Sequence, residues 1–154
     1  INYLFIFHNG GIFMDTKQNI KPEVMNGIMK HIKALGGLEK AELLEISPGH
    51  TRIRIKIMED ALNFYGNLHG GFIFSLCDMV AGMSTYAYEF ANVTQQANIS
   101  FLKTIQTGTL YVEGNAIHKG RRTVVIQVNV TTEDGRSIAI ATVTMFLIEP
   151  LSIS

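Results

Sequence analysis

The chain has 154 residues, 47% hydrophobic and 17% charged, with a formal net charge of zero. That suffices for one domain with its own core, and so even a charge balance leaves no electrostatic footprint for nucleic acid. A single cysteine excludes an internal disulfide framework and any cysteine-rich metal site, and fits a cytoplasmic protein.

Residues 1–14 are apolar but too short to cross a bilayer, and they lack the basic start and cleavage site of a signal peptide. No membrane association is expected. The chain opens without a methionine, so Met14 reads as the natural start. Residues 1–13 then form a non-native or disordered extension ahead of one domain over 14–154. Residues 22–36 read as an amphipathic helix: Pro22 and Glu23 suit its first turn, Val24, Ile28, Ile32 and Leu35 form its stripe, and Gly36-Gly37 stops it. Lys30, His31 and Lys33 make a solvated face. Ala41–Ser47 reads as a strand and Pro48-Gly49 as a turn. Thr51–Met58 alternates, with Ile53, Ile55 and Ile57 inward and Arg52, Arg54 and Lys56 facing solvent.

From Gly71 to Tyr88 the apolar residues cover the whole circumference of a helix about 27 Å long, which implies burial on all sides. Asp78 is the only charge between His69 and Glu89. An ionised carboxylate in such surroundings costs several kcal/mol unless it is compensated. Two readings are open. Asp78 caps a neighbouring backbone group or pairs with an arginine, or it is a catalytic carboxylate. Cys77 beside it reads as a small core residue rather than a nucleophile.

Beyond the helix, 92–103 is extended and Thr107-Gly108 turns. Leu110–His118 and Thr123–Thr132 are strands about a Lys119–Arg122 turn. Asp134-Gly135 signals a hairpin, and Ser137–Ile148 closes the chain. The helix is thus followed by three long strands joined by tight turns and preceded by one or two more. Tight turns imply antiparallel pairing. The fold class is α+β, a curved antiparallel sheet wrapped around one long central helix.

The spacing at the helix start carries chemistry. Amides of Gly70 and Gly71 at a helix N-terminus, with the macrodipole behind them, suit a developing negative charge. Gly70 and Asp78 are about 12 Å apart along one helix, too far to act on one carbonyl. If both serve one reaction, they come from two antiparallel copies of this helix, in a dimer or larger assembly.

Asn63-x-x-Gly66-x-Leu68-His69-Gly70-Gly71, followed by Asp78, resembles the hotdog-fold acyl-CoA thioesterases of the phenylacetate-pathway and thioesterase-superfamily-member-two type. The Asn98-Ile-Ser-Phe-Leu strand and the Gly120-Arg121 turn fit as well, and the resemblance runs from Leu44 to Ile148. It implies a hotdog fold, an acyl-CoA substrate and a homodimer or homotetramer. By the same resemblance, the Gly70 amide polarises the thioester carbonyl, Asn63 orients substrate or water, and His69 supports the loop. Asp78 of the neighbouring subunit is base or nucleophile. Thr94 supplies a hydroxyl that some relatives carry one turn after the acid, where this chain has Gly82.

Each residue also has a plainer reading: Asn63 as a turn former, His69 as a brace for the hinge, and Lys119, Arg121 and Arg122 as a solvated hairpin tip rather than a grip on coenzyme A phosphates. Tyr86, Tyr88, Phe90 and Phe101 read as core packing ahead of an acyl tunnel. The five histidines show no metal-ligand spacing, and no cofactor is expected. The competing functions are a non-catalytic acyl-CoA binding or sensing module and a dehydratase on the same fold, with His69 and Asp78 acting jointly. The acyl group itself is not legible.

Overall fold

The computed structural model describes residues 20–34 and 37–152. The expectations for residues 1–14, Leu35, Gly36 and the side chains of Lys30, His31, Ile32 and Lys33 lie outside the described residues and side chains. Helix α1 (Pro22–Ala34) opens on a proline whose missing N–H has no intrahelical partner to lose, and Glu23 faces the positive end of the helix dipole. Val24 and Ile28, one turn apart, are buried. Strands β1 (Glu42–Ser47) and β2 (His50–Lys56) follow, turning at Gly49, whose φ of 82° is left-handed. Next come helix α2 (Gly70–Tyr86) and strands β3 (Phe90–Phe101), β4 (Thr109–Lys119), β5 (Thr123–Thr132) and β6 (Ser137–Pro150).

All pairings are antiparallel, in the order β1-β2-β4-β5-β6-β3. Four strands follow the helix rather than three. The Thr107-Gly108 turn does not close a hairpin either: β3 pairs with β6, from Phe90↔Pro150 to Phe101↔Ala139. The connection from β3 to β4 runs over 102–108, longer than the two to five residues that commonly lock a hairpin. Once the Asp134-Gly135 turn has placed β6 beside β5, the far edge of β6 is open for β3. The other edge of β3 has no partner among the described residues.

Alternate residues of the sheet meet α2. Ile53, Leu110, Val112, Val124, Ile126, Val128 and Val130 are fully buried, as are Leu76, Cys77 and Val80 of the helix. Each such aliphatic side chain contributes about 1.5–3 kcal/mol. On the outer face Arg54 lies 2.7 Å from Glu42 and Arg52 3.3 Å from Glu45. The expected solvent-facing basic row of β2 is therefore partly neutralised by carboxylates of β1. Exposed pairs of this kind contribute about 0–1 kcal/mol, so the helix-facing layer decides the fold.

Burial of α2 on all sides is not what the structure shows. Gly71, Phe74 and Ser75 are exposed, and Asp78 and Gly82 are half-buried. Steps of three and four residues put these on one stripe. The sheet wraps the rest of the helix, and only the end of the stripe nearest α1 is covered. Gly27 in α1 and Gly82 in α2 sit inside helices, where glycine costs about 1 kcal/mol relative to alanine.

Gly114 of β4 sets how closely α2 approaches the sheet. A Cβ there would lie 2.7 Å from Val80 Cγ1 and 3.1 Å from Ile126 Cγ2. Gly114→Ala is expected to destabilise the fold by about 1–3 kcal/mol through overpacking, read as a lower midpoint in chemical denaturation.

Candidate active site

The loop ahead of α2 is tied together by Asn63. Its Oδ1 accepts hydrogen bonds from the amides of Tyr65 (2.9 Å) and Asn67 (3.1 Å), while its own amide donates to the Asn67 carbonyl at 2.7 Å. This is the turn-forming role. It leaves Nδ2 as the polar group with which Asn63 can meet a ligand. Phe64 and Tyr65 project from the tip, 106% and 84% exposed. The base of the loop is anchored by the Leu68 amide on the Ile105 carbonyl and the His69 amide on the Ala61 carbonyl.

His69 is the N-cap of α2. Its Nδ1 accepts the Gly71 amide at 2.9 Å, and its carbonyl accepts from Phe72 and Ile73. A helix start leaves four amides without intrahelical partners, and here the imidazole takes one, as a serine or aspartate side chain more often does. The bracing role is thus visible in the geometry. The two glycine amides are not equivalent. That of Gly71 is occupied, whereas that of Gly70 has no hydrogen-bond partner among the described residues. The Phe101 ring at the end of β3 covers Gly70, with Cζ 3.2 Å from where a Cβ would stand. Phe101 is 52% exposed and not the core residue expected.

Two turns further along, Asp78 faces β3. Thr94 Oγ1 donates to Asp78 Oδ1 at 2.6 Å, a charge-assisted length. No ion pair of Asp78 with a cation is found among the described residues. The alternative of a capping or arginine-paired carboxylate is therefore not the arrangement seen. Thr94, placed by the Asn98 strand, meets the acid across the seam between α2 and β3. Two residues earlier on the same strand, Asn92 Nδ2 reaches the carbonyl of Gly82 at 3.4 Å. Sequence reading had no signal for Asn92, because its partner is a backbone atom on another element. Within one chain the Gly70 amide and Asp78 remain about 12 Å apart in helical rise.

The basic turn stands apart. Lys119 Nζ lies 5.1 Å from the centroid of the Tyr88 ring and the Arg122 guanidinium 4.8 Å from that of Phe146. Arg121 is exposed. The Arg122 carbonyl accepts from Leu147, which pairs with Asn92. At the usual strand spacing, the hairpin is about 10 Å across the sheet from the Asn92–Thr94 segment. Among the described residues no three His, Cys, Asp or Glu side chains assemble into a metal site, and no helix is long and apolar enough to cross a membrane.

The fold and the seam together define the class: a hotdog domain whose open helix stripe carries a hydroxyl-held carboxylate. A thioesterase-superfamily profile matches residues 65–139. A hypothetical thioesterase of Streptococcus pneumoniae TIGR4, solved with coenzyme A, is 32% identical over 83% of this chain and 99% of its own, with a TM-score of 0.77. The Streptococcus mutans UA159 protein smu.793, solved bound to acetyl CoA, is 33% identical over 79% of this chain and 99% of its own, with a TM-score of 0.74. The acyl-coenzyme A thioesterase PaaI of Escherichia coli K12 is 25% identical over 109 residues, 70% of this chain and 75% of that protein. The chain belongs to the thioesterase superfamily and is an esterase- or thioesterase-type enzyme. Two further structures of the S. pneumoniae protein carry an aspartate-to-alanine and a threonine-to-alanine replacement sixteen positions apart, the spacing of Asp78 and Thr94.

Cys77 adjoins this acid and is fully buried. Burial first, and then the neighbouring charge of Asp78, push its thiol up to about 12. A thiol held there has almost no thiolate near neutral pH and is no nucleophile. In native protein at pH 8, iodoacetamide is expected to leave Cys77 unmodified by mass spectrometry, with stoichiometric labelling once denaturant is added.

Proposed function

We propose that the protein hydrolyses acyl-CoA thioesters to free acid and coenzyme A, at composite sites between subunits of a homodimer or a dimer of dimers. The observation that carries this is the 2.6 Å bond from Thr94 to a carboxylate with no neighbouring cation among the described residues. Thr94 fixes one oxygen of Asp78 and leaves lone pairs for a water. The spacing shared with the replaced aspartate and threonine of the S. pneumoniae protein supports a working pair.

In this reading the water oxygen attacks the thioester carbonyl while Asp78 takes its proton. The carbonyl oxygen gains charge and accepts from the Gly70 amide of the partner subunit, an interaction worth about 3–4 kcal/mol. The tetrahedral species then collapses, the carbon–sulfur bond breaks, and coenzyme A leaves as thiolate. Thr94 holds Asp78 by one oxygen and leaves the other free to take the proton of the water. Asn63 contributes through Nδ2, and Lys119, Arg121 and Arg122 meet the phosphates of coenzyme A. The open edge of β3 supports the assembly. A long unpaired edge is a template for a second strand, and two β3 strands joined antiparallel bring their helices alongside in opposite directions. Dehydration by His69 and Asp78 is disfavoured, because His69 Nδ1 already serves the helix cap.

Asp78→Asn is expected to fold normally and to lose about 10²–10⁴-fold in kcat/KM in a thiol-trapping assay. Loss of one hydrogen bond to a charged group makes Thr94→Ala about ten- to a hundredfold slower. Wild-type rates in either would remove that residue from the reaction, and enoyl formation without thiol release would favour the dehydratase.

Shared sites have a separate check. Mixed dimers of Gly70→Pro chains, which lack the donor, and Asp78→Ala chains are expected to regain activity at one of two sites. Inactive mixtures of folded dimers would sink the composite arrangement.

A further inference from the structure

Between α1 and α2, beside the start of β3, lies a cavity of about 290 Å³, lined by Gly27, Ile28, Gly82, Met83, Tyr86 and Asn92 among others. Gly27, Gly82, Tyr86 and Asn92 on its wall are half-buried, so it opens to solvent, and its volume is roughly ten times a water's share of liquid volume. We propose that it holds the acyl group of the substrate, and that its size sets the preference at a short linear or single-ring acyl chain. The inference rests on the reading of Asp78 as the acid of a thioesterase.

The two glycines inside helices carry the argument. Gly82 is not there for close packing: a Cβ on it would meet nothing nearer than 3.9 Å, where Asn92 Oδ1 and Met145 Cε lie. A residue this unfavourable in a helix, with room for a side chain, keeps space empty. Gly27 acts differently. Tyr86 Oη lies 2.6 Å from where its Cβ would be, so its bare backbone lets that ring fold against α1 and wall the cavity. Both lapses in helix propensity thus serve one volume.

Its place follows from the helix and strand periods. Gly82 is one turn beyond Asp78 on the same stripe, about 6 Å of rise away. Asn92 is two residues before Thr94, on the same side of β3. An acyl chain whose carbonyl carbon sits at Asp78 therefore runs along the stripe into this cavity, away from its own subunit's Gly70. The six named lining residues carry no charge, which suits an uncharged chain. The volume is about twice that of an apolar cavity of about 150 Å³ known to take benzene, enough for one ring or a chain of about six carbons. A long fatty chain outruns it.

The test compares kcat/KM for acetyl-, hexanoyl- and palmitoyl-CoA in the wild type and in Gly82→Leu, whose side chain enters the cavity. Wild type is expected to prefer hexanoyl-CoA over both others, and the variant to lower the hexanoyl-to-acetyl ratio at least tenfold. An unmoved ratio overturns the assignment. Should Gly82→Leu not fold, Gly82→Ala fits at ordinary contact distance and is expected to lower the ratio severalfold; again, no change overturns it. Calorimetry on Asp78→Asn reads binding without turnover. Tighter binding of hexanoyl- than acetyl-CoA, lost on adding Gly82→Leu, supports the cavity even if wild type releases no thiol, an outcome that would reject only the hydrolase reading.

Discussion

The bond across the seam between α2 and β3 is the constraint around which the site is built. A carboxylate on a helix packed mostly in aliphatic side chains needs something to share its charge. An arginine would satisfy that need and hold the acid in an ion pair. Thr94 does so with a neutral hydroxyl, which leaves the charge in place. Several features keep that contact where it is. Gly114 lets α2 settle close to the sheet, the long register of β3 with β6 fixes Thr94 opposite Met145, and Asn92 clips the strand to the carbonyl of Gly82.

Much of this was legible in the sequence, for definite reasons. The alternation of Val124, Ile126, Val128 and Val130 gave the inner face of β5, and its ends fall where expected. Asp134-Gly135 turns as its residue types require, with Gly135 at a φ of 81°. His69-Gly70-Gly71 marked the helix start, and one charge in an apolar run marked Asp78. Neighbours were harder. Alternation tells which side a residue faces but not which strand lies beside it, so the β3–β6 pairing could not be read. The polar run Thr94-Gln95-Gln96 breaks alternation altogether. Composition likewise made α2 look buried throughout, because Gly71, Ser75 and Gly82 are small and uncharged, and smallness does not say whether a neighbour is present. Asn63 and His69 were seen as important, but which of their atoms remain available depends on contacts two to four residues away.

The division of labour between the two faces of the sheet follows the energies. The helix-facing layer supplies the aliphatic burial that holds the domain together. The outer face carries paired charges on β1 and β2 and the Arg122 guanidinium lying over the Phe146 ring. That face contributes little to folding and is correspondingly free to serve recognition. The edge of β3, next to the acid, belongs to neither face, and there the domain has least to lose by accepting another chain.

The burial of Cys77 has a consequence for product chemistry. In the proposed reaction every turnover liberates a mercaptan beside Asp78, one residue from the chain's only sulfhydryl. Were that side chain turned outward, oxidation would tether the departing coenzyme to the enzyme as a mixed disulfide and block the next round. Held inward and protonated, it gives the released thiol nothing to couple to, so the site tolerates its own product whatever the redox state around it.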